Sequence, residues 1–356
     1  MRRASNVHPV TPRSLRAAAA RLRRGELVAF PTETVYGLGA NALDEKAVGR
    51  IFRAKGRPAD NPIIIHVSDR TMLRKVAGRV PAAAKALMKA FWPGPLTLVL
   101  PKKPFVPSLV TGGLDTVAVR MPEGVARDLI RLAGVPVAAP SANLSGRPSP
   151  TTAAHVAHDF PGLLVLDGGP TAHGLESTVV AFDPPRILRH GAVTEEDLRV
   201  LLPSLTKAPV RRLTRPARGK PDVSPKGNGR RLMNRGPSRG TQKREPVGAA
   251  AVSPGTKYVH YAPSRPLILF RRKSSLLAHA EAHPDALVLC PGWLAPFFAA
   301  SRVVPLGDSI EEVARNVFAA LRTRLRGTEL LVLAVPRRGL GRAVMDRLER
   351  AATRIV

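Results

Sequence analysis

The chain has 356 residues, an ordinary apolar fraction of 44% and a formal net charge of +30, enough length for two domains with their own cores. Its one cysteine, Cys290, excludes a disulfide framework and any Cys-rich zinc site, and fits a reducing compartment. No run is long and apolar enough for a signal-peptide core or a membrane span, so a cytoplasmic location without membrane contact is expected.

Thr11-Pro12 opens a helix that runs to Arg24 with Gly25 as its stop, and Glu26 to Phe30 follows as a buried strand. Pro31 to Gly39 reads as a turn punctuated by Pro and Gly and dense in hydroxyls. Asp44 to Lys55 is a helix, Asn61-Pro62 leads into a strand from Ile63 to Val67, and a helix from Pro81 to Phe91 precedes a strand from Leu96 to Leu100. Further strands are expected at Val117 to Arg120, Val135 to Ala139, Leu163 to Leu166, Ser177 to Phe182 and Ile187 to Leu188. Strands of this number with crossover helices predict an α/β domain built on one large, twisted, open sheet.

From Lys207 to Arg244 there are thirteen cations against one acid, Asp222, with Pro and Gly interspersed and no apolar periodicity. Such a segment cannot bury enough surface to offset its ordering entropy, so a disordered linker is expected, with a weak RNA contact through its charge. Beyond it, strands at Leu267 to Phe270, Ala286 to Cys290, Val303 to Leu306 and Leu330 to Ala334 alternate with helices at Ser275 to Ala282, Ile310 to Arg324 and Gly341 to Ala352. That pattern predicts a smaller Rossmann-like α/β domain. It lacks the G-x-G-x-x-G fingerprint, and Gly339-Leu340-Gly341 reads as a helix start with close packing rather than a nucleotide site. The divisions are 1–205, 206–263 and 264–356.

The chemistry concentrates in the first domain. Lys55 and Arg57 stand two apart beside the Pro-rich turn Pro58 to Pro62, and in an extended segment both would point to one face. A mobile point charge and a planar fork suit a polyanion. In Ala138 to Thr151, small residues allow close backbone approach while Ser141, Asn143 and Ser149 supply hydrogen bonds at the end of a buried strand. Asp167-Gly168-Gly169 makes a second glycine turn, followed by Glu176 and Ser177, with Arg186 and Arg189 further on. A lone histidine such as His66 at the end of a strand is by base rates a satisfied core residue. Neither paired carboxylates nor a nucleophile beside a base stands out, so positioning and charge stabilisation are expected to carry any catalysis. A basic concave sheet that holds an RNA backbone is the alternative from another class; sparse aromatics and pocket-like polar turns weigh against it.

The motifs PTETVYGLG, KGRPADNP, FWPGPLTLVLP, TVAVRMP, APSANLSGRPSPT, DGGPT and ESTVV, in that order, make Gly25 to about Thr194 similar to the YrdC family. SPGTKYVHYAP at 253–263 and GLGRAVMDRLERAA near the end resemble the Sua5 C-terminal domain. The whole resembles the Sua5-type L-threonylcarbamoyladenylate synthases. The resemblance implies that L-threonine, bicarbonate or CO2, and ATP with Mg2+ give threonylcarbamoyl-AMP and pyrophosphate, the product passing to the machinery that builds t6A at position 37 of tRNA. It implies an ATP site of Lys55, Arg57, Asn61, Thr116, Ser141, Asn143, Ser149, Arg189 and Tyr261, with Lys55 and Arg57 also catalytic. It implies a threonine pocket of Thr34, His66, Arg120 and Ser177. No protein metal ligands are implied. The family's ILRPG reads Ile187-Leu188-Arg189-His190-Gly191 here, and Thr256 and Val259 replace Met and Arg of its linker motif.

Overall fold

The computed structural model describes residues 6–207 and 260–356. Eleven strands make one mixed sheet: β1 (Val7–Pro9), β2 (Val28–Phe30), β3 (Gly37–Asn41), β4 (Ile65–His66), β5 (Leu96–Pro101), β6 (Thr116–Arg120), β7 (Val137–Ala138), β8 (Val165–Asp167), β9 (Thr178–Ala181), β10 (Arg186–Arg189) and β11 (Thr206–Lys207). Their order is β1-β8-β2-β3-β7-β4-β6-β5-β9-β10-β11. Around it lie α1 (Pro12–Arg23), α2 (Glu45–Lys55), α3 (Arg70–Val76), α4 (Ala82–Phe91), α5 (Ser108–Thr111), α6 (Gly124–Ala133), α7 (Ala153–Asp159) and α8 (Glu195–Leu201). A second sheet of β12 (Leu267–Phe270), β13 (Leu287–Cys290), β14 (Val303–Pro305), β15 (Leu330–Leu333) and β16 (Arg354–Ile355) is parallel at every pairing, in the order β14-β13-β15-β12-β16. It is joined by α9 (Lys273–Ala282), α10 (Ile310–Leu321) and α11 (Gly341–Ala351). The two expected α/β units are both present, and no helix among the described residues is long and apolar enough to cross a membrane.

Local chemistry explains the ends of the elements that frame the site. Thr11 and Ser14 form a reciprocal capping box on α1, with Pro12 at the first helical position. Asp44 caps α2 by accepting from the Ala47 amide, and Gly56 ends it in the left-handed region. Along α2 the buried stripe is Ala47, Val48, Ile51, Phe52 and Lys55. The helical period therefore carries Lys55 onto the face that packs inward.

Two expectations change. Gly37 to Gly39, expected within a turn, instead belong to β3, which pairs antiparallel with β2. A Cβ on Gly39 would stand 2.5 Å from the Phe30 ring and 2.8 Å from Val137, so this strand is glycine-rich because its neighbours press against the backbone. Thr206 and Lys207, expected in the linker, add β11 to the edge of the first sheet beside β10. In the second domain a Cβ on Gly341 would stand 1.9 Å from the Pro336 carbonyl, which makes close packing at a helix start the reason for that glycine, as expected. Residues 208–259 of the linker, including Thr256 and Val259, lie outside the described residues.

Candidate functional site

A cleft of about 760 Å³, counting its solvent-open part, crosses the first sheet and is closed on one side by His260 and Tyr261. Its floor includes Ile64 and His66, two apart along one extended segment and so on one face. Of the residues singled out from the sequence, Thr34, Lys55, Arg57, His66, Arg120, Ser141, Asn143, Ser149, Ser177, Arg189 and Tyr261 all line it. The cleft thus runs over the face of the sheet as well as along the strand ends.

Lys55 is 3% exposed and its Nζ donates to the carbonyls of Ser141, at 2.5 Å, and of Asn143. Burial, with Arg57 nearby, holds its pKa well below the usual lysine range. Lys55 and Arg57 do converge on the cleft, but not by strand alternation. Lys55 closes α2, the chain reverses at Gly56, and the Arg57 amide bonds back to the Phe52 carbonyl. The Arg57 guanidinium donates to the Asn61 carbonyl at 3.0 Å, Asn61 Oδ1 at 2.8 Å and the Pro62 carbonyl at 2.7 Å. Asn61, buried, therefore orients Arg57 from behind. The loop after β7 is tied internally: Ser141 Oγ donates to Asn143 Oδ1 at 2.5 Å, and Asn143 Nδ2 donates to the Leu144 and Arg147 carbonyls.

At the other part of the cleft, Arg120 Nη1 donates to Thr34 Oγ1 at 2.8 Å and Arg120 Nε to the Gly94 carbonyl at 3.1 Å. Its Nη2 lies 2.7 Å from Glu33 Oε1, an ion pair whose side chains are 4% and 7% exposed. That pair is close but not aligned as a hydrogen bond, and neither Glu33 oxygen has a hydrogen-bond donor among the described residues. Ser177 Oγ shares a hydrogen bond of 2.7 Å with Thr97 and accepts from Arg189 Nη2 at 3.2 Å. His66 is buried with Nδ1 unpartnered, and burial together with the Arg120 charge pushes its imidazole down to about 3.

The His66 shift has a measurable consequence. The unfolded chain takes up a proton near pH 6.5 that the folded imidazole refuses until about 3, so stability falls as pH drops below 6.5. Between pH 7 and 5 this one group should remove about 2 kcal/mol, and a His66→Gln protein should lack that increment. Urea unfolding of both proteins at the two pH values measures it, and equal losses would contradict the buried neutral imidazole.

Thr116 is not brought to the site. It opens β6, at the opposite end from Arg120, and lines a separate cleft with Arg79, Phe182 and Arg186. Conversely, several residues not singled out for the site take part in it. Thr32 Oγ1 hydrogen-bonds Thr34 Oγ1 at 2.8 Å; Glu33 braces Arg120; Arg147 and His260 line the cleft. Glu176 accepts from Ser149 Oγ at 2.6 Å on one oxygen and pairs with Arg347 of α11 at 3.0 Å on the other. The second domain reaches the cleft elsewhere too. Tyr261 packs its ring 5.1 Å from Phe318, its φ is +68°, and Val35 and Leu175 join the second domain's apolar core. Arg322 beyond α10 donates to the Pro148 carbonyl and pairs with buried Asp159 at 2.7 Å.

Buried cations, hydroxyls and an amide line one cleft, a set of groups whose chemistry suits an anionic small molecule beside a polar one. The Sua5/YciO/YrdC family model, described as telomere recombination, matches residues 20–191, and the model described as threonylcarbamoyl-AMP synthase, C-terminal domain, matches 210–353. The chain is 45% identical to the threonylcarbamoyl-AMP synthase of Pyrococcus abyssi over 95% of its own length and 94% of the relative's. It is 42% identical to that of Bacillus subtilis over 94% and 92%. A crystal structure of P. abyssi Sua5 complexed with L-threonine matches with a TM-score of 0.82, 43% identity and 98% coverage of both chains. The chain belongs to the two-domain Sua5 family of threonylcarbamoyl-AMP synthases. Likeness of this extent sets aside the RNA-binding alternative.

Proposed function

We propose that the cleft binds ATP and L-threonine side by side and that the chain joins them, through bicarbonate or CO2, into L-threonylcarbamoyl-AMP. The observation that carries this reading is the single cleft lined by Lys55, Arg57 and Arg189 in one part and by Thr34, His66, Arg120 and Ser177 in the other. The threonine amine adds to CO2 and loses a proton; an oxygen of the resulting carbamate attacks the α-phosphorus, and the bond to the bridging oxygen breaks to release pyrophosphate. Charge builds on the phosphates as that bond breaks, where buried cations stabilise it without reorganising.

Asn61 holds the Arg57 fork in place, while Ser141, Asn143 and Ser149 supply hydrogen bonds around the nucleotide and Tyr261 covers it. Arg120, already bridging Glu33 and Thr34, offers donors to the threonine carboxylate. The cleft-lining carboxylate, Glu176, has its oxygens engaged by Ser149 and Arg347, so Mg2+ fits as an ion held by the phosphates. When bound, it would supply charge neutralisation there. The product would pass to the threonylcarbamoyl-transfer machinery that modifies tRNA at position 37, in the cytoplasm.

Incubation with ATP, Mg2+, bicarbonate and single amino acids, followed by pyrophosphate release, tests the reading. A pocket that hydrogen-bonds the substrate hydroxyl leaves polar groups unpaired with valine, whereas serine lacks only a methyl contact. Serine should fall below threonine by about 10- to 200-fold in kcat/KM, and valine further. Comparable rates with valine and threonine would contradict the pocket.

A further inference from the structure

Arg347 sits on α11, whose other buried residues are Gly341, Ala343, Val344, Met345, Leu348 and Ala351. It is fully buried, yet its guanidinium points out of its own domain. Nε pairs with Glu176 Oε2 at 3.0 Å, Nη1 donates to the His190 carbonyl at 2.6 Å and to Asp346 at 3.0 Å, and Nη2 is buried without a hydrogen-bond partner among the described residues. Its guanidinium carbon lies 5.9 Å from the centre of the Tyr261 ring. Taking an arginine and a carboxylate out of water is costly unless they meet each other with good geometry. Here the two come from different domains, 171 residues apart.

Glu176 is followed directly by Ser177, and both line the cleft. Arg189 in turn donates through Nε and Nη2 to the Ser177 carbonyl, at 3.2 and 3.0 Å, on the wall of the cleft. Beside this group lies the Tyr261 ring, packed between Arg347 and Phe318. With Arg347 in place the negative charge of Glu176 is answered from the second domain. Without it, Glu176 is a buried carboxylate whose remaining side-chain donor among the described residues is the Ser149 hydroxyl.

We propose that Arg347 is a positioning residue for the nucleotide part of the cleft: by engaging Glu176 it keeps the Ser149 hydroxyl oriented there. The second domain then completes the site through a side chain that does not line the cleft. The inference rests on the reading of this cleft as the nucleotide site.

The test uses the full-length chain. Arg347→Met should raise the Kd for a non-hydrolysable ATP analogue about tenfold or more, the worth of one charge-assisted hydrogen bond, while the KM for threonine stays within about twofold. Arg347→Lys, which keeps the charge but not the fork, should fall between. Removing both charges, in Glu176→Gln with Arg347→Met, should recover at least half of the lost affinity on a logarithmic scale, because the amide oxygen still accepts from Ser149 and no buried carboxylate is left unanswered.

Unchanged analogue affinity in a folded Arg347→Met protein, an equal rise for analogue and threonine, or a double variant no better than the single one would each overturn the proposal. If Arg347→Met does not fold, Arg347→Lys and the double variant give the same comparison against wild type. Failure of the wild-type chain to bind the analogue would instead remove the nucleotide reading itself. Analogue binding without threonine-dependent pyrophosphate release would remove the reaction and leave the role of Arg347 open to the same measurement.

Discussion

Arg120→Met is expected to cut kcat/KM for threonine at least about a hundredfold, since it deletes two charge-assisted donors at once. It should also destabilise the first domain by about 3–5 kcal/mol, the cost of leaving a buried carboxylate without its partner. The partner is Glu33, 2.7 Å away and nearly as buried. The two effects are separable. Adding Glu33→Gln should restore most of the stability, because the uncompensated charge is gone, but none of the turnover. Urea unfolding and pyrophosphate release on the single and double variants give the answer. Near-normal turnover in a folded Arg120→Met protein would remove Arg120 from the threonine pocket, and equal stability of single and double variants would show that the ion pair is incidental.

What was legible in the sequence follows from which interactions are local. Thr11, Pro12, Asp44 and Gly56 mark helix ends by their own side chains or backbone freedom, so α1 and α2 are readable within a residue or two. β3 is not, because Gly-Leu-Gly-Ala-Asn carries no strand propensity and pairs only since Phe30 and Val137 leave no room for side chains. α6, absent from the expected elements, does carry a signal: Ala126, Leu129, Ile130 and Ala133 lie on one face and Gly134 is a left-handed stop.

The site divides in the same way. Lys55, Arg57, Ser141 and Asn143 stand out as charge or hydroxyl in turns, and the fold gathers them, although a helix end rather than an extended segment aims the two cations. Thr116 belongs to a recognisable motif yet lies at the far end of its strand. Glu176 stands beside Ser177 at the start of a strand, and nothing near it in the chain announces Arg347. A contact between residues so far apart leaves no local pattern.

The second large effect concerns Lys55. Its Nζ ties two carbonyls of the loop after β7: the Ser141 carbonyl keeps a second donor in the Asn143 amide, whereas no other donor reaches the Asn143 carbonyl within the loop's described hydrogen bonds. Lys55→Met should therefore cost about 1–3 kcal/mol of stability from that buried carbonyl. Turnover should fall far more, by about a hundred- to a thousandfold, as expected when a preorganised donor to developing charge is lost. The shortage of room makes Lys55→Arg a sharp control: a planar fork cannot replace an ammonium held between two carbonyls at 3% exposure, so charge alone should not rescue activity. Pyrophosphate release, with denaturant unfolding to correct for stability, measures both. If Lys55→Arg turns over like wild type, Lys55 acts only through its charge; if Lys55→Met does so, the amine holds the loop and takes no part in handling the phosphates.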